Sequence, residues 1–183
     1  DGADFRLLKL MKRAGCRMLC VGFEFGDQRL LDCTQKGTTL EEMHQFAHDA
    51  RRAGIRVHGC FMIGGPGETP ETAQKTLDLA CSLPIDTAQF SGIVAYPGTA
   101  YYAWAKENGY LIPKRWRDWV DDDFEQVTTQ SLPEMPAETI NAFVDRGLKR
   151  FYLRPSQMCR MLFDIRNWAD VRAKWHGLRS FVA

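Results

Sequence analysis

The chain has 183 residues, 45% hydrophobic and 26% charged, with a formal net charge of +1. That length accommodates one domain with a sizeable core, and the near-neutral balance supplies no global field to attract nucleic acid or an acidic partner. The apolar runs are too short to span a bilayer, and Asp1-Gly2-Ala3-Asp4 lacks the basic start and apolar centre of a signal peptide, so a cytoplasmic protein is expected. No initiator methionine is present, and the sequence reads as a piece of a longer chain.

In chain order, Phe5, Leu8 and Met11, with Leu7 and Leu10 beside them, form a stripe of helical period that ends at Gly15. A strand follows at 17–25. Thr38-Thr39 before Glu41-Glu42 makes a capping box, opening a helix striped by Leu40, Met43, Ala47 and Ala50 and closed by Gly54. A second strand runs over 56–63 and empties into Gly64-Gly65-Pro66-Gly67-Glu68. Thr69-Pro70 then offers an N-cap with proline at the first helical position, and this third helix stops before Pro84. The third strand is expected at 87–95, closed by Pro97-Gly98.

Arg13-Ala14-Gly15 before the first strand is repeated as Arg52-Ala53-Gly54 before the second, 39 residues on. That period suits one βα unit joined by a right-handed crossover. Three consecutive units imply either part of a (β/α) barrel or a small doubly wound sheet. In both, ligands bind at the carboxyl ends of the strands, which places Glu24-Phe25-Gly26, Gly64 to Glu68 and Tyr96-Pro97-Gly98-Thr99 on one rim. Glycines there let a ligand approach the backbone, and the N–H groups of the next helix favour polar or anionic atoms.

Beyond Tyr102, Trp104, Tyr110, Trp116, Trp119 and Phe124 lie among charges, and Leu132-Pro133-Glu134-Met135-Pro136 reads as a linker. Helices are expected at 137–152, 155–165 and 167–179, the last two forming a basic tail. Asp121-Asp122-Asp123 reads as a solvated turn rather than a cation site. His44 and His48, with Glu41, share one helix face at zinc-ligand spacing but far from the rim, so a hydrolytic metal site there is a minor alternative. Six scattered cysteines suit reduced thiols; Cys16 and Cys20 are expected to face the same side of the first strand as buried core residues without a third ligand.

Three stretches then carry a resemblance: Val21-Gly22-Phe23-Glu24 with Leu31 and Lys36-Gly37-Thr38-Thr39; Phe61-Met62-Ile63-Gly64-Gly65-Pro66-Gly67-Glu68-Thr69; and Ala95-Tyr96-Pro97-Gly98-Thr99. Together they resemble the later half of the barrel of a radical S-adenosylmethionine (SAM) enzyme. Phe151-Tyr152-Leu153-Arg154-Pro155 is similar to the tail of the subgroup with an N-terminal cobalamin-binding domain, which includes the anaerobic magnesium-protoporphyrin monomethyl ester cyclase and hopanoid-pathway enzymes. The fold implied is α/β, a partial (β/α) barrel of about three units over 1–105, an aromatic-rich connection over 106–136 and a helical extension over 137–183.

The resemblance also implies roles. Glu24 would contact the ribose or methionine end of SAM; Ile63 would lie against adenine, with Gly65 permitting the approach and Glu68 bracing the turn by accepting backbone N–H bonds. Val94 to Tyr96 would meet the adenine edge, with Tyr152 and Arg154 as lesser candidates. Phe25 stands where the family carries a small hydroxyl residue. The C-x-x-x-C-x-x-C loop that would hold a [4Fe–4S] cluster does not occur in this sequence. The resemblance therefore implies a fragment whose parent cleaves SAM to a 5′-deoxyadenosyl radical acting on a hydrophobic small molecule, porphyrin or terpenoid, while this piece alone is inactive. Open barrel edges predict self-association. A self-contained flavodoxin-like nucleotide-binding or interaction module is the alternative, and it requires a complete sheet with a first strand near the N-terminus.

Overall fold

In the computed structural model, residues 3–122, 124 and 126–163 are described. The expected helix at 167–179 and the basic tail residues from Arg166 onward lie outside them, as does Asp123. Three parallel strands, β1 (Met18–Glu24), β2 (Arg56–Ile63) and β3 (Thr87–Gly92), lie in the order β1-β2-β3. Between and around them run helices α1 (Phe5–Arg13), α2 (Gln28–Cys33), α3 (Leu40–Ala53), α4 (Pro70–Ser82), α5 (Ala100–Glu107), α6 (Ala137–Tyr152) and α7 (Pro155–Phe163).

Local chemistry accounts for most of the boundaries. Thr39 and Glu42 close the expected capping box of α3, and Gly54 takes the left-handed conformation that ends it. Thr69 caps α4 with Pro70 at its first position. Two short helices were not anticipated. Asp27 caps α2 by accepting from Arg29 N, and Thr99 caps α5 by accepting from Tyr102 N, so turn residues read as loop ends are helix starts. The third strand stops at Gly92 rather than 95, because the chain from Ile93 on bonds to the 126–135 segment, with Gln130 Nε2 donating to Ile93 O and Thr129 Oγ1 accepting from Ala95 N.

The alternation of β2 separates two faces. Val57, Gly59, Phe61 and Ile63 are buried under the helices, while Arg56, His58, Cys60 and Met62 face the other way. Phe23, Phe61 and Phe90, one per strand, stack across the buried face with centroids 5.6 and 5.2 Å apart. Leu8, Leu31, Met43, Ala47, Leu77 and Phe143 complete that core. Against it, α6 seats Gly147 on the Phe90 ring, and the Tyr152 hydroxyl donates to Ala88 O at 2.9 Å and accepts from Ala88 N at 3.1 Å.

Strands added in sequence order with helices on one face are the winding of a barrel segment; a flavodoxin-like sheet reverses its order at the first strand and covers both faces. Among the described residues the first element is α1, not a strand. Both observations count against the flavodoxin-like alternative. The face that the described helices leave open is mixed, with Met62 exposed among polar side chains. It carries Cys20, His58, Cys60, Thr87, Gln89 and Ser91, none of them buried.

Candidate functional site

The carboxyl ends of the strands bring the expected rim together. At the end of β1 the pairing slips between Gly22 and Glu24, and Glu24 sits at φ +66°. Left-handed backbone at a residue with a side chain costs about 1–2 kcal/mol and persists only where the surroundings enforce it. Lys36 supplies part of that enforcement. Its Nζ lies 2.5 Å from Glu24 Oε1, delivered by a turn in which Gln35 and Gly37 also have positive φ. Phe25, the residue in place of a hydroxyl, is wholly buried and packs beneath the next loop: a Cβ on Gly65 would stand 2.9 Å from its ring.

The β2 turn is held by one carboxylate. Glu68 Oε2 accepts from both Gly64 N and Gly65 N, the latter at 3.1 Å, while Oε1 is buried without a hydrogen-bond partner. Glu68 is 1% exposed, and burial pushes its pKa up to about 7 against the lowering pull of the two backbone N–H groups. Tyr101, at the start of α5, donates from its hydroxyl to Gly64 O at 3.3 Å, and burial raises its own pKa. Gly64 and Gly67 have φ of +91° and +73°, which side-chain-bearing residues adopt only with strain.

Ile63 has no exposed surface, since it belongs to the inward-facing set of β2. Its carbonyl accepts from Ile93 N at 2.8 Å and so ties the third strand end to the second. From there Val94 and buried Ala95 lead to Tyr96, which is 55% exposed and donates from its hydroxyl to Gln126 Oε1 at 3.1 Å. Ile63, Gly65, Glu68 and Val94 to Tyr96 thus share one corner of the rim, with Glu24 on the neighbouring strand. Lys36 and Tyr101 join them without having been singled out. Lys36 was visible only as part of a family-like stretch, and nothing in the spacing of Tyr101 marked it.

Tyr152 and Arg154 are elsewhere. Arg154 donates to Cys81 O and, at 3.0 Å, to Phe151 O, with its guanidinium 4.3 Å over the Phe151 ring. Ala88, the partner of Tyr152, is at the beginning of β3. Tyr152 therefore clamps the amino end of β3, opposite the rim, and Arg154 ties the end of α4 to α6.

The cysteines also depart from expectation. Cys16 precedes β1 and packs toward the core, whereas Cys20 is exposed on the uncovered face, so the two do not form a pair. Cys20 instead meets Cys60, with sulfurs 3.5 Å apart, and burial followed by the Cys20 contact pushes the Cys60 thiol up to about 11. Among the described residues, Cys20, His58 and Cys60 are the one group of three potential ligands within 4.8 Å of one another. Glu41, His44 and His48 do not converge in that way. Asp122, in the acidic run, instead lies 3.5 Å from Arg117.

Residues 2–80 match the model of the radical SAM superfamily. Over that segment the chain is similar to the radical SAM superfamily. An uncharacterized methyltransferase from Pyrococcus horikoshii is 30% identical over 168 residues, covering 92% of this chain and 36% of that protein. Anaerobic magnesium-protoporphyrin IX monomethyl ester cyclase from Cereibacter sphaeroides is 31% identical over 99 residues, covering 54% of this chain and 16% of that one. Coproporphyrinogen III oxidase from Escherichia coli, a radical SAM enzyme, superposes with a TM-score of 0.54 at 16% identity, over 79% of this chain and 30% of that chain, a likeness of fold. The chain thus spans about a third or less of these relatives. No helix among the described residues is long and apolar enough to cross a membrane.

Proposed function

We propose that the chain supplies one wall of a SAM pocket in a larger radical SAM protein, with Glu24, Ile63, Gly65, Glu68, Val94 and Tyr96 contributing. The observation that carries this is the β2 turn. One buried carboxylate fastens two successive glycine N–H groups, leaves its second oxygen unpartnered and holds open a loop whose Gly67 faces free space. Such a loop offers backbone atoms to a planar ring with little reorganisation. Glu24, in its enforced left-handed conformation and paired with Lys36, presents charge on the same rim to hydroxyl or ammonium groups. Ile63, having no free surface, would back the adenine site from below.

These residues fit SAM and do not fit a [4Fe–4S] cluster, since no three cysteines converge among the described residues and the sequence has no C-x-x-x-C-x-x-C loop. In the whole protein such a cluster, held by residues outside this sequence, would supply the electron for reductive cleavage of SAM. The resemblance to the cobalamin subgroup adds cobalamin and a hydrophobic small-molecule substrate, porphyrin or terpenoid, as parts of the same proposal, in the cytoplasm.

The test is equilibrium SAM binding by the whole protein that carries this chain. Glu24→Gln is expected to weaken SAM binding about tenfold or more, the loss of one charge-assisted hydrogen bond. Unchanged affinity in a folded variant rejects the assignment. A second expectation concerns assembly: among the described residues no strand pairs with the outer edges of β1 or β3, so the isolated chain is expected to self-associate. Light scattering that returns a stable monomer rejects it.

A further inference from the structure

We propose that Cys20, His58 and Cys60 form a Cys2His binding site for Zn2+ on the uncovered face of the sheet. Cys20 comes from β1, and His58 and Cys60 occupy alternate positions of β2, so all three side chains leave the sheet on one side. The register sets Cys20 opposite His58 and Gly22 opposite Cys60.

The separations suit a single small ion. Two thiolates bound to one tetrahedral zinc at about 2.3 Å sit about 3.8 Å apart. Here the sulfurs are 3.5 Å apart and the three ligand atoms lie within 4.8 Å of one another. Thr87 Oγ1 lies 2.8 Å from His58 Nδ1. With Nδ1–H donated to that hydroxyl, Nε2 carries the lone pair for the metal, the outer hydrogen bond that orients ligating histidines generally. Two thiolates and an imidazole favour zinc over magnesium or calcium, which require oxygen ligands. Three protein ligands leave the fourth position for water or a substrate atom. Binding converts two thiols to thiolates and releases their protons to solvent, with no electron transferred.

The ligands stand on two strands and share nothing with the three-cysteine loop of an iron–sulfur cluster, so the inference is independent of the SAM assignment. Its test is zinc content and Zn K-edge X-ray absorption of the whole protein carrying this chain, purified without oxygen, with zinc affinity from chelator competition. Zinc is reported separately from any iron. The expected result is about one zinc per chain with two sulfur neighbours near 2.3 Å. Cys60→Ser is expected to weaken the affinity at least tenfold, while Cys33→Ser, an exposed cysteine at the end of α2, leaves it unchanged. Circular dichroism checks folding; if Cys60→Ser does not fold, His58→Leu serves in its place with the same expected loss. Absence of zinc binding, zinc without sulfur neighbours, or wild-type affinity in the folded variants overturns the proposal. So does a Cys20–Cys60 disulfide that forms in air equally fast with and without zinc.

Discussion

Gly26→Ala is expected to lower unfolding free energy by about 3 kcal/mol, read as a reduced urea midpoint with little change in slope. A Cβ at Gly26 would stand 2.3 Å from Lys75 O and 2.6 Å from Thr76 N, both backbone atoms of α4 that cannot rotate away. Relief requires α4 to withdraw from β1, which would also break the 2.9 Å bond from Gly26 N to Thr76 Oγ1 and the 2.7 Å ion pair between Lys75 and Asp27. Because the contact fixes the rim against the helix that follows the glycine turn, lost stability is expected with weakened SAM binding. Gly67→Ala is the contrast. It meets nothing within 4 Å, so only the left-handed conformation is penalised, about 1 kcal/mol. Equal losses at the two positions would refute the close-approach argument.

The second large effect is in pH. Glu68 has a folded-state pKa of about 7 against an ordinary 4.5, so the native state holds this proton more tightly than the unfolded chain does. Its contribution to stability is complete below pH 4.5 and is lost as pH rises through 7. The loss amounts to about 3 kcal/mol between pH 4 and pH 8. Glu68→Gln keeps an oxygen for Gly64 N and Gly65 N and removes the titration. Unfolding free energies measured at intervals across that range should fall with pH for wild type relative to the variant. Parallel profiles for the two proteins would show that burial does not raise this carboxyl. Asp27, lowered chiefly by the Lys75 hydrogen bond, contributes with the opposite sign in acid in both proteins, so the difference isolates Glu68.

Much of the fold was legible because its signals are local. The capping box of α3, the Thr69-Pro70 start of α4 and the repeated Arg-Ala-Gly each depend on residues within one or two turns. Asp27 and Thr99 show where that logic fell short: a cap followed by six or eight residues is too short for periodicity to separate a helix from a turn. At the rim, Glu24 and the glycine turn were recognisable from their own neighbourhoods. The salt bridge of Glu24 with Lys36 and the reach of Tyr101 to Gly64 depend on how far loops fold back, which no short window records.

By itself the sequence determined the βα order, the strand ends that form the rim and the radical SAM relationship, because parallel strands joined by short crossovers leave their carboxyl ends on one side whatever the details of packing. Only the tertiary structure decided which side chains meet. Residues 20 and 60 are 40 apart in the chain and their sulfurs 3.5 Å apart in space, a consequence of the β1–β2 register and not of any motif. Cys20, expected in a core, instead faces the open side, because it stands an odd number of positions from the buried Phe23 and successive side chains of a strand alternate between its faces. The pairing of Tyr152 with the amino end of β3, and of Arg154 with the end of α4, likewise follows from where α6 docks. Local chemistry chose the elements, and long-range packing chose the contacts that give them function.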